Sequence, residues 1–217
     1  MSDLELFTYD TCPYSQRVQI TLHGKQLAFT KTLVDVRKTP PWFHDISPYG
    51  KVPLLRSGNH YIGESLIINE YLEEKFPDIK LLPESPHERA WARFWIQHCD
   101  AKFMSACNRL IADRKDADKQ ERNRATLDEA LLRLESAIGV SNGPYWLGER
   151  LSLVDITYAP FFERYECYQA LWGARWPQGC EKLGLWREAV AHHPAVATTA
   201  HDLEFHMQAY RRYDAAA

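Results

Sequence analysis

The order of apolar runs along the chain constrains its fold more than any other feature of the sequence. Between residues 4 and 76, short runs typical of β-strands alternate with amphipathic runs typical of helices, in the order β-α-β and then β-β-α. The predicted strands are LELFTY, AFTKTLVDV, KVPLL and HYI, and the predicted helices cover about 13–25 and 64–76. Beyond a connector punctuated by prolines, the sequence reads almost wholly as helices. We therefore predict a small α/β domain over residues 1–78 and an all-α domain over residues 86–217.

Composition and charge narrow the partners that such a chain can have. The 217 residues include 26 basic and 29 acidic side chains, which gives a formal net charge of −3. This balance provides no strong attraction to nucleic acid or to an anionic membrane surface, so we expect neither partner. No basic stretch followed by an apolar run opens the sequence, and no apolar segment approaches the roughly 18 residues that span a bilayer. A cytoplasmic location is the expectation.

The cysteines argue against both a disulfide framework and a zinc site. They are odd in number and widely spaced, in a chain too large to depend on covalent cross-links. Their positions are Cys12, Cys99, Cys107, Cys167 and Cys180. Because the paired Cys or Cys/His spacings of zinc sites are missing, we predict reduced thiols and no bound metal.

Cys12 stands apart because it precedes Pro13 at the predicted start of the first helix. Proline is tolerated in a first turn, which places Cys12 at the cap, where free amide groups and the helix dipole favour a thiolate over a thiol. The alternative is a small buried hydrophobic residue, which is our interpretation of the other four cysteines. Ser15 stands where a dithiol motif carries its second cysteine. A mixed disulfide on Cys12 would therefore need a second thiol from solution, which indicates a soluble thiol cosubstrate.

Two further segments are suited to binding a small peptide. Pro53 directly precedes a predicted strand, and a cis Val52-Pro53 bond would leave the peptide groups of Val52 free to pair with extended backbone. Glu64 and Ser65 begin the next predicted helix, where free amides and a hydroxyl can bind a carboxylate and Glu64 can bind an ammonium group. A thiolate and these two segments together indicate a small peptide thiol as ligand.

Together these segments resemble those of the cytosolic glutathione S-transferases, nearest to the cysteine-type omega and lambda classes. The matching segments are CPYSQRV at 12–18, PWF at 41–43, KVPLL at 51–55, GES at 63–65 and LSLVDI at 151–156. The last is similar to the family's capping motif, in which Ser152 caps a helix and Asp155 returns the bond. The resemblance implies a thioredoxin-like domain that binds glutathione, an all-helical domain with a hydrophobic substrate site, and a homodimer.

The resemblance also implies roles for individual residues. Cys12 would be the catalytic thiol, Val52 the backbone partner of the glutathione cysteinyl unit, and Glu64 with Ser65 the partners of the γ-glutamyl unit. The implied glutathione-binding set is Cys12, Tyr14, Lys38, Thr39, Val52, Pro53, Glu64 and Ser65. Omega-class proteins often carry a lysine just before PxWF that reaches the glycyl carboxylate. Here Thr39 holds that position and Lys38 precedes it, so both are candidates for the contact.

The sequence indicates the site of the second substrate less clearly than that of glutathione. Candidate acceptor-site residues are aromatic or titratable side chains at helical spacing in the helical half, namely Trp95, His98, Tyr165, Trp172 and Trp176. Aromatic residues at such spacing pack in cores more often than they line pockets. The expected substrate is a small hydrophobic compound, a disulfide or another electrophile.

Three functions stay open on the sequence alone. The first is glutathione-dependent thiol transfer or reduction through Cys12. The second is conjugation of glutathione to electrophiles, with Ser15 or Tyr9 activating the bound glutathione. The third is a binding or regulatory module that has lost catalysis, since a fold does not fix a function.

Overall fold

Helices cover both faces of a small mixed sheet in the first part of the chain. The computed structural model describes residues 3–138 and 143–215, and for 212–215 the backbone alone. Elements of this first part are β1 (Leu4–Thr8), α1 (Pro13–Gly24), β2 (Thr30–Leu33), α2 (Pro41–Ile46), β3 (Leu54–Ser57), β4 (His60–Gly63) and α3 (Ser65–Lys75). The strand order is β2-β1-β3-β4; β1 pairs in parallel with β2 and antiparallel with β3, and β3 pairs antiparallel with β4. This arrangement confirms the predicted α/β fold of the N-terminal part.

Different helices bury the two faces of the sheet. Side chains alternate along a strand, so Leu6 of β1 packs with Val18 of α1 and Ile68 of α3, whereas Phe7 points to the opposite face. There the Phe7 ring lies 5.8 Å from the ring of Phe43 in α2. These apolar contacts hold α1 against the sheet. They thereby fix the position of its N-terminal end, which Cys12 precedes.

Helices make up most of the chain that the structure describes beyond the connector. They are α4 (Pro86–His98), a π-helical turn (Cys99–Phe103), α5 (Met104–Ala112), α6 (Ala117–Ala137), α7 (Leu153–Glu163), α8 (Tyr165–Trp172), α9 (Glu181–His192), α10 (Pro194–Ala197) and α11 (Leu203–Ala215). Helix α7 is buried along its whole length from Leu153 to Phe162, as expected of a helix that is apolar on every side. The other helices pack around it, which confirms the predicted all-helical part.

Hydrogen bonds fix the start of α7 in the way that LSLVDI predicts. The Ser152 backbone N–H donates to the Asp155 carboxylate over 2.8 Å, and the reciprocal bond of a capping box is also present. The indole N–H of Trp186 donates to the same carboxylate over 2.7 Å. Burial raises the pKa of Asp155, and these hydrogen bonds act in the opposite direction. The capping motif is therefore confirmed, and it also ties α9 to α7.

A buried ion pair holds the connector against the α/β part. The Lys25 ammonium lies 2.6 Å from the Glu73 carboxylate and donates to the carbonyl oxygens of Phe76 (3.0 Å) and Ile79 (2.6 Å). Glu73 in turn accepts from the Leu81 backbone N–H over 3.0 Å. The segment after α3 is thereby fixed to the C-terminal end of α1.

The described residues include neither a helix suited to crossing a membrane nor a cluster of metal-binding side chains. No helix there combines the length and apolar character that crossing a membrane requires. Nor does any group of three or more His, Cys, Asp or Glu side chains in those residues have an arrangement that could hold a metal ion.

Candidate glutathione and thiol site

Cys12 occupies the N-cap of α1, with Pro13 at the start of the helix. Its backbone is extended (φ −80°, ψ 113°), and its sulfur accepts a hydrogen bond from the Ser15 backbone N–H over 3.4 Å. A cap residue has this geometry because its side chain replaces a missing helical acceptor for the first free N–H groups. The partly exposed sulfur therefore lies at the positive end of α1, as the sequence predicts.

The other four cysteines have different surroundings. All five cysteines lie within the described residues and are unpaired, and Cys12 alone is not buried. Burial raises the pKa of the Cys99 thiol to about 12 and that of Cys167 to about 11. It also raises the pKa of Cys107 and of Cys180. These four side chains are small apolar core residues with unreactive thiols.

The Val52-Pro53 peptide bond lies beside the thiol. The bond is cis, as the sequence analysis anticipated, and the carbonyl oxygen of Val52 is 4.0 Å from the Cys12 sulfur, the outer limit for an S–H donor. Pro53 is buried and leads into β3, whereas Val52 is partly exposed. The sulfur and a backbone edge are thus within reach of one small ligand.

Glu64 and Ser65 occupy the start of α3. Glu64 is exposed and has a backbone φ of +65°, which a residue with a side chain rarely adopts. Such a conformation costs on the order of 1–3 kcal/mol and persists where the surrounding structure imposes it, often at ligand sites. Ser65 is buried, and its hydroxyl accepts from the Arg17 guanidinium over 3.4 Å.

Arg17 connects this helix start to the helical part. Its fully buried guanidinium lies 2.6 Å from the Asp100 carboxylate and donates to the Thr157 carbonyl oxygen over 2.8 Å. Asp100 belongs to the π-helical turn and is still 37% exposed, so one face of its carboxylate remains open beside Ser65. Sequence reasoning missed Asp100, because a π-helical turn has no sequence signature that would single out an acidic residue. Because one Arg17 nitrogen donates both to the Ser65 hydroxyl and to the Asp100 carboxylate, a carboxylate lies beside the start of α3.

Three further residues of the predicted glutathione-binding set are Tyr14, Lys38 and Thr39. Tyr14 stacks edge-on against Phe161 at 5.7 Å, and burial raises the pKa of Tyr14. Lys38 is exposed in the segment between β2 and α2, and the Thr39 hydroxyl donates to the Val36 carbonyl oxygen over 3.4 Å.

The two hydroxyls considered as alternative activators have different surroundings. Ser15 is fully buried, and within the described part of the chain its hydroxyl has no hydrogen-bond partner. Tyr9 is partly exposed, and the Arg37 guanidinium lies 5.8 Å from the centre of its ring.

The structure separates the acceptor-site candidates instead of gathering them around Cys12. Tyr165 and Trp172 are core residues; the Tyr165 hydroxyl donates to the Arg175 carbonyl oxygen over 2.6 Å. Trp176 is partly buried and packs against Tyr165, with ring centres 5.6 Å apart. Trp95 and His98 border a groove of about 1340 Å³ between α4 and α6.

A hydrogen bond with Tyr158 fixes the His98 side chain at the border of that groove. One ring nitrogen lies 3.1 Å from the Tyr158 hydroxyl. Burial lowers the pKa of His98, and the charges of Arg133 and Lys102 lower it further. Cys12 thus lies beside Val52, and Ser65 contacts Arg17 of the helix that Cys12 caps, whereas the aromatic candidates belong to the core and to this groove.

Comparisons with known proteins agree with this geometry. The family model described as "Glutathione S-transferase, N-terminal domain" matches residues 6–84, and "Glutathione S-transferase, C-terminal domain" matches residues 117–189. Glutathione S-transferase omega-1 of Sus scrofa is 31% identical over 199 residues, which cover 89% of this chain and 79% of that protein.

Solved structures give the same result. Glutathione transferase Omega 3C from Trametes versicolor has a TM-score of 0.86 at 30% identity, covering 93% of this chain and 90% of that chain. Rice GST1, solved in complex with glutathione, has a TM-score of 0.87 at 25% identity, covering 98% of each chain. The chain belongs to the glutathione S-transferase family.

Proposed function

We propose that the protein is a glutathione-dependent thiol transferase or reductase that works through Cys12. The Cys12 thiolate attacks the glutathionyl sulfur of a mixed disulfide, the sulfur–sulfur bond breaks, and the other thiol leaves and takes up a proton. A second glutathione thiolate then attacks the Cys12–glutathione disulfide. Oxidised glutathione leaves, and the Cys12 thiolate is restored.

The surroundings of Cys12 carry this proposal. It is the partly exposed cysteine of the five, it caps α1, and its sulfur lies beside the Val52 peptide. An omega-class relative at 31% identity and a relative solved with glutathione support the same chemistry and the same cosubstrate.

Glutathione recognition follows from the charges around the start of α3. In the proposed complex, Val52 pairs with the cysteinyl backbone, and Ser65 with the free amides of α3 binds the γ-glutamyl carboxylate. Glu64 binds the γ-glutamyl ammonium, and Asp100, which shares the Arg17 guanidinium with Ser65, is a second candidate for that contact. Lys38 or Thr39 contacts the glycyl end, and Tyr14 and Pro53 border the ligand.

Conjugation by Ser15 is the weaker alternative, because the Ser15 side chain is fully buried whereas the Cys12 sulfur is partly exposed. Tyr9 has a cation as neighbour but is not part of the Val52–Ser65 site. A module without catalysis would not need an exposed cysteine at a helix cap.

The five unpaired cysteines support a reducing compartment such as the cytoplasm.

The steady-state test compares two cysteine variants. Cys12→Ser should abolish glutathione-dependent reduction of hydroxyethyl disulfide, because a hydroxyl is not an attacking group at neutral pH. Cys180→Ser, a matched change at a buried thiol, should keep wild-type turnover when both proteins are equally folded by circular dichroism. A Cys12→Ser protein with wild-type turnover would refute the proposal.

We further propose that the protein is a homodimer. Ile67 on α3 and Trp91 and Phe94 on α4 are large exposed hydrophobic residues, and an ion pair of 2.7 Å between Glu70 and Arg93 holds the two helices side by side. Contiguous exposed apolar surface of this kind is typical of an interaction site. A second copy of the chain is the occupant that the family resemblance implies for it.

A further inference from the structure

Gln16 joins the helix that carries Cys12 to two other segments of the chain. Its backbone N–H donates to the carbonyl oxygen of Cys12 over 3.1 Å. Its buried carboxamide donates to the Glu163 carboxylate over 2.7 Å and to the Thr199 carbonyl oxygen over 3.2 Å. On the other side, its oxygen accepts from the Arg164 guanidinium over 2.6 Å. Both ends of the side chain are therefore occupied by charged partners from the helical part.

Glu163 extends the same network to the C-terminal helix. The carboxylate oxygen that does not bind Gln16 accepts from the His206 imidazole over 2.6 Å and from the His201 backbone N–H over 3.2 Å. His206 lies on α11 and is buried, so its side chain points into the protein. Burial opposes ionisation of Glu163, but hydrogen bonds led by that of His206 and the nearby Arg164 charge lower its pKa. A carboxylate therefore sits at the centre of the cluster.

The chemistry of the partners fixes the orientation of the Gln16 amide. A carboxylate only accepts and a guanidinium only donates, so the amide nitrogen must face Glu163 and the amide oxygen must face Arg164. A buried polar group that loses its hydrogen-bond partner destabilises the folded protein, and hydrogen bonds within one network depend on one another. A shift of α11 that moves His206 must therefore change the position of Glu163, and with it that of Gln16.

We propose that Gln16 is a positioning residue for Cys12, and that His206 acts through Glu163 to couple the docking of the C-terminal helix to the reactivity of the Cys12 thiol. The inference rests on the proposed role of Cys12 as the working thiol. In this account α11 holds the first turn of α1 in place, and its loosening misdirects the amide groups that face the sulfur. The coupling thus extends from the last described helix to the first turn of the first helix.

The rate of alkylation of Cys12 by iodoacetamide at pH 7 measures this coupling without glutathione or turnover. Gln16→Met and His206→Leu should slow it between about 2-fold and 30-fold in protein that is fully folded at the temperature of the assay. His206→Gln should keep most of the wild-type rate, because its amide N–H can still donate to Glu163. Gln19→Met makes the same change at a partly exposed position of α1 and should leave the rate unchanged.

A double variant separates coupling from simple loss of stability. Because Gln16 and His206 both act through Glu163, Gln16→Met with His206→Leu should slow alkylation by less than the product of the two single effects. Wild-type alkylation rates in both single variants, or a fully multiplicative double variant, would overturn the proposal. If His206→Leu does not fold, Glu163→Gln replaces it, since it must present a donor either to Gln16 or to His206. The two proposals fail in different assays: wild-type alkylation rates in the variants count against the coupling alone, whereas wild-type disulfide reduction by Cys12→Ser counts against the proposed function.

Discussion

At the scale of single residues, Glu64 has a backbone conformation that lowers the stability of the fold but defines the geometry at the start of α3. A φ of +65° is unfavourable for glutamate, yet it presents an exposed carboxylate directly before the free amide groups of α3. The buried Arg17 and Ser65 behind it fix the start of this helix. The unfavourable conformation is consistent with a ligand site, where such residues are concentrated.

The first prediction compares Glu64 with Lys38. Glu64→Ala should weaken glutathione binding at least about fivefold, because a ligand ammonium would lose its charged partner, a change of roughly 1–3 kcal/mol. Lys38→Ala, which removes an exposed charge from the proposed contact with the glycyl end, should have a smaller effect. Calorimetric titration of each variant with glutathione decides between them. A larger loss for Lys38→Ala would place the dominant contact at the glycyl end and contradict our assignment.

At the scale of elements, the sequence predicted those parts of the fold that have a local cause. Pro13 after Cys12 indicated a helix cap, and LSLVDI indicated the capping box, because both motifs act within one turn. Helix α2 was not predicted, since its six residues begin with proline and are too few for a helical period. The π-helical turn that directs Asp100 toward Arg17 depends on packing between distant helices, so no local pattern reports it.

Long-range packing also explains why the aromatic candidates were hard to interpret. Spacing of three or four residues places side chains on one face of a helix but does not reveal what that face contacts. Tyr165, Trp172 and Trp95 are all buried core residues, and Trp95 also borders the groove, in which His98 is partly exposed. In the same way, the network around Gln16 brings together residues about 150 and 190 positions apart, a distance over which single-sequence patterns carry no information.

The second prediction concerns the ion pair that closes the end of α1. Lys25→Met should lower the free energy of unfolding by about 3 kcal/mol, because it leaves the Glu73 carboxylate, which is only 11% exposed, without its cation. Lys31→Met is the matched control: its partner Asp10 is 3.8 Å away and both side chains are half-exposed, so the change should stay within about 0.5 kcal/mol. Urea unfolding followed by tryptophan fluorescence measures both. Equal losses would show that the Lys25 contacts contribute no more than a surface pair.

At the scale of the whole molecule, we expect the exposed apolar face of α3 and α4 to form the interface of the proposed homodimer. Phe94→Glu should convert the proposed dimer into a monomer, because it places a charge in the centre of the apolar surface that the second copy covers. Leu185→Glu makes the same kind of change at another exposed hydrophobic residue, on α9, and should leave the dimer intact. Sedimentation velocity at micromolar concentration compares them. A wild-type monomer, or a Phe94→Glu protein that sediments with the wild type, would exclude this interface.

The two parts of the molecule meet around the helix that follows Cys12. Arg17 and Gln16 are neighbours on α1, yet one binds Asp100 and the other binds Glu163, so separate segments of the helical part hold the same turn. The position of the thiol is therefore a property of the whole chain.

The central claim is that Cys12 forms a mixed disulfide with glutathione, and mass spectrometry tests it most directly. The wild-type protein is incubated with oxidised glutathione under native conditions, quenched in acid and digested, alongside the Cys12→Ser variant. We expect a single glutathionyl adduct on the wild-type peptide that contains Cys12, removed by added glutathione and missing from the variant. No adduct on that peptide, or equal adducts on the peptides of the buried cysteines, would contradict it.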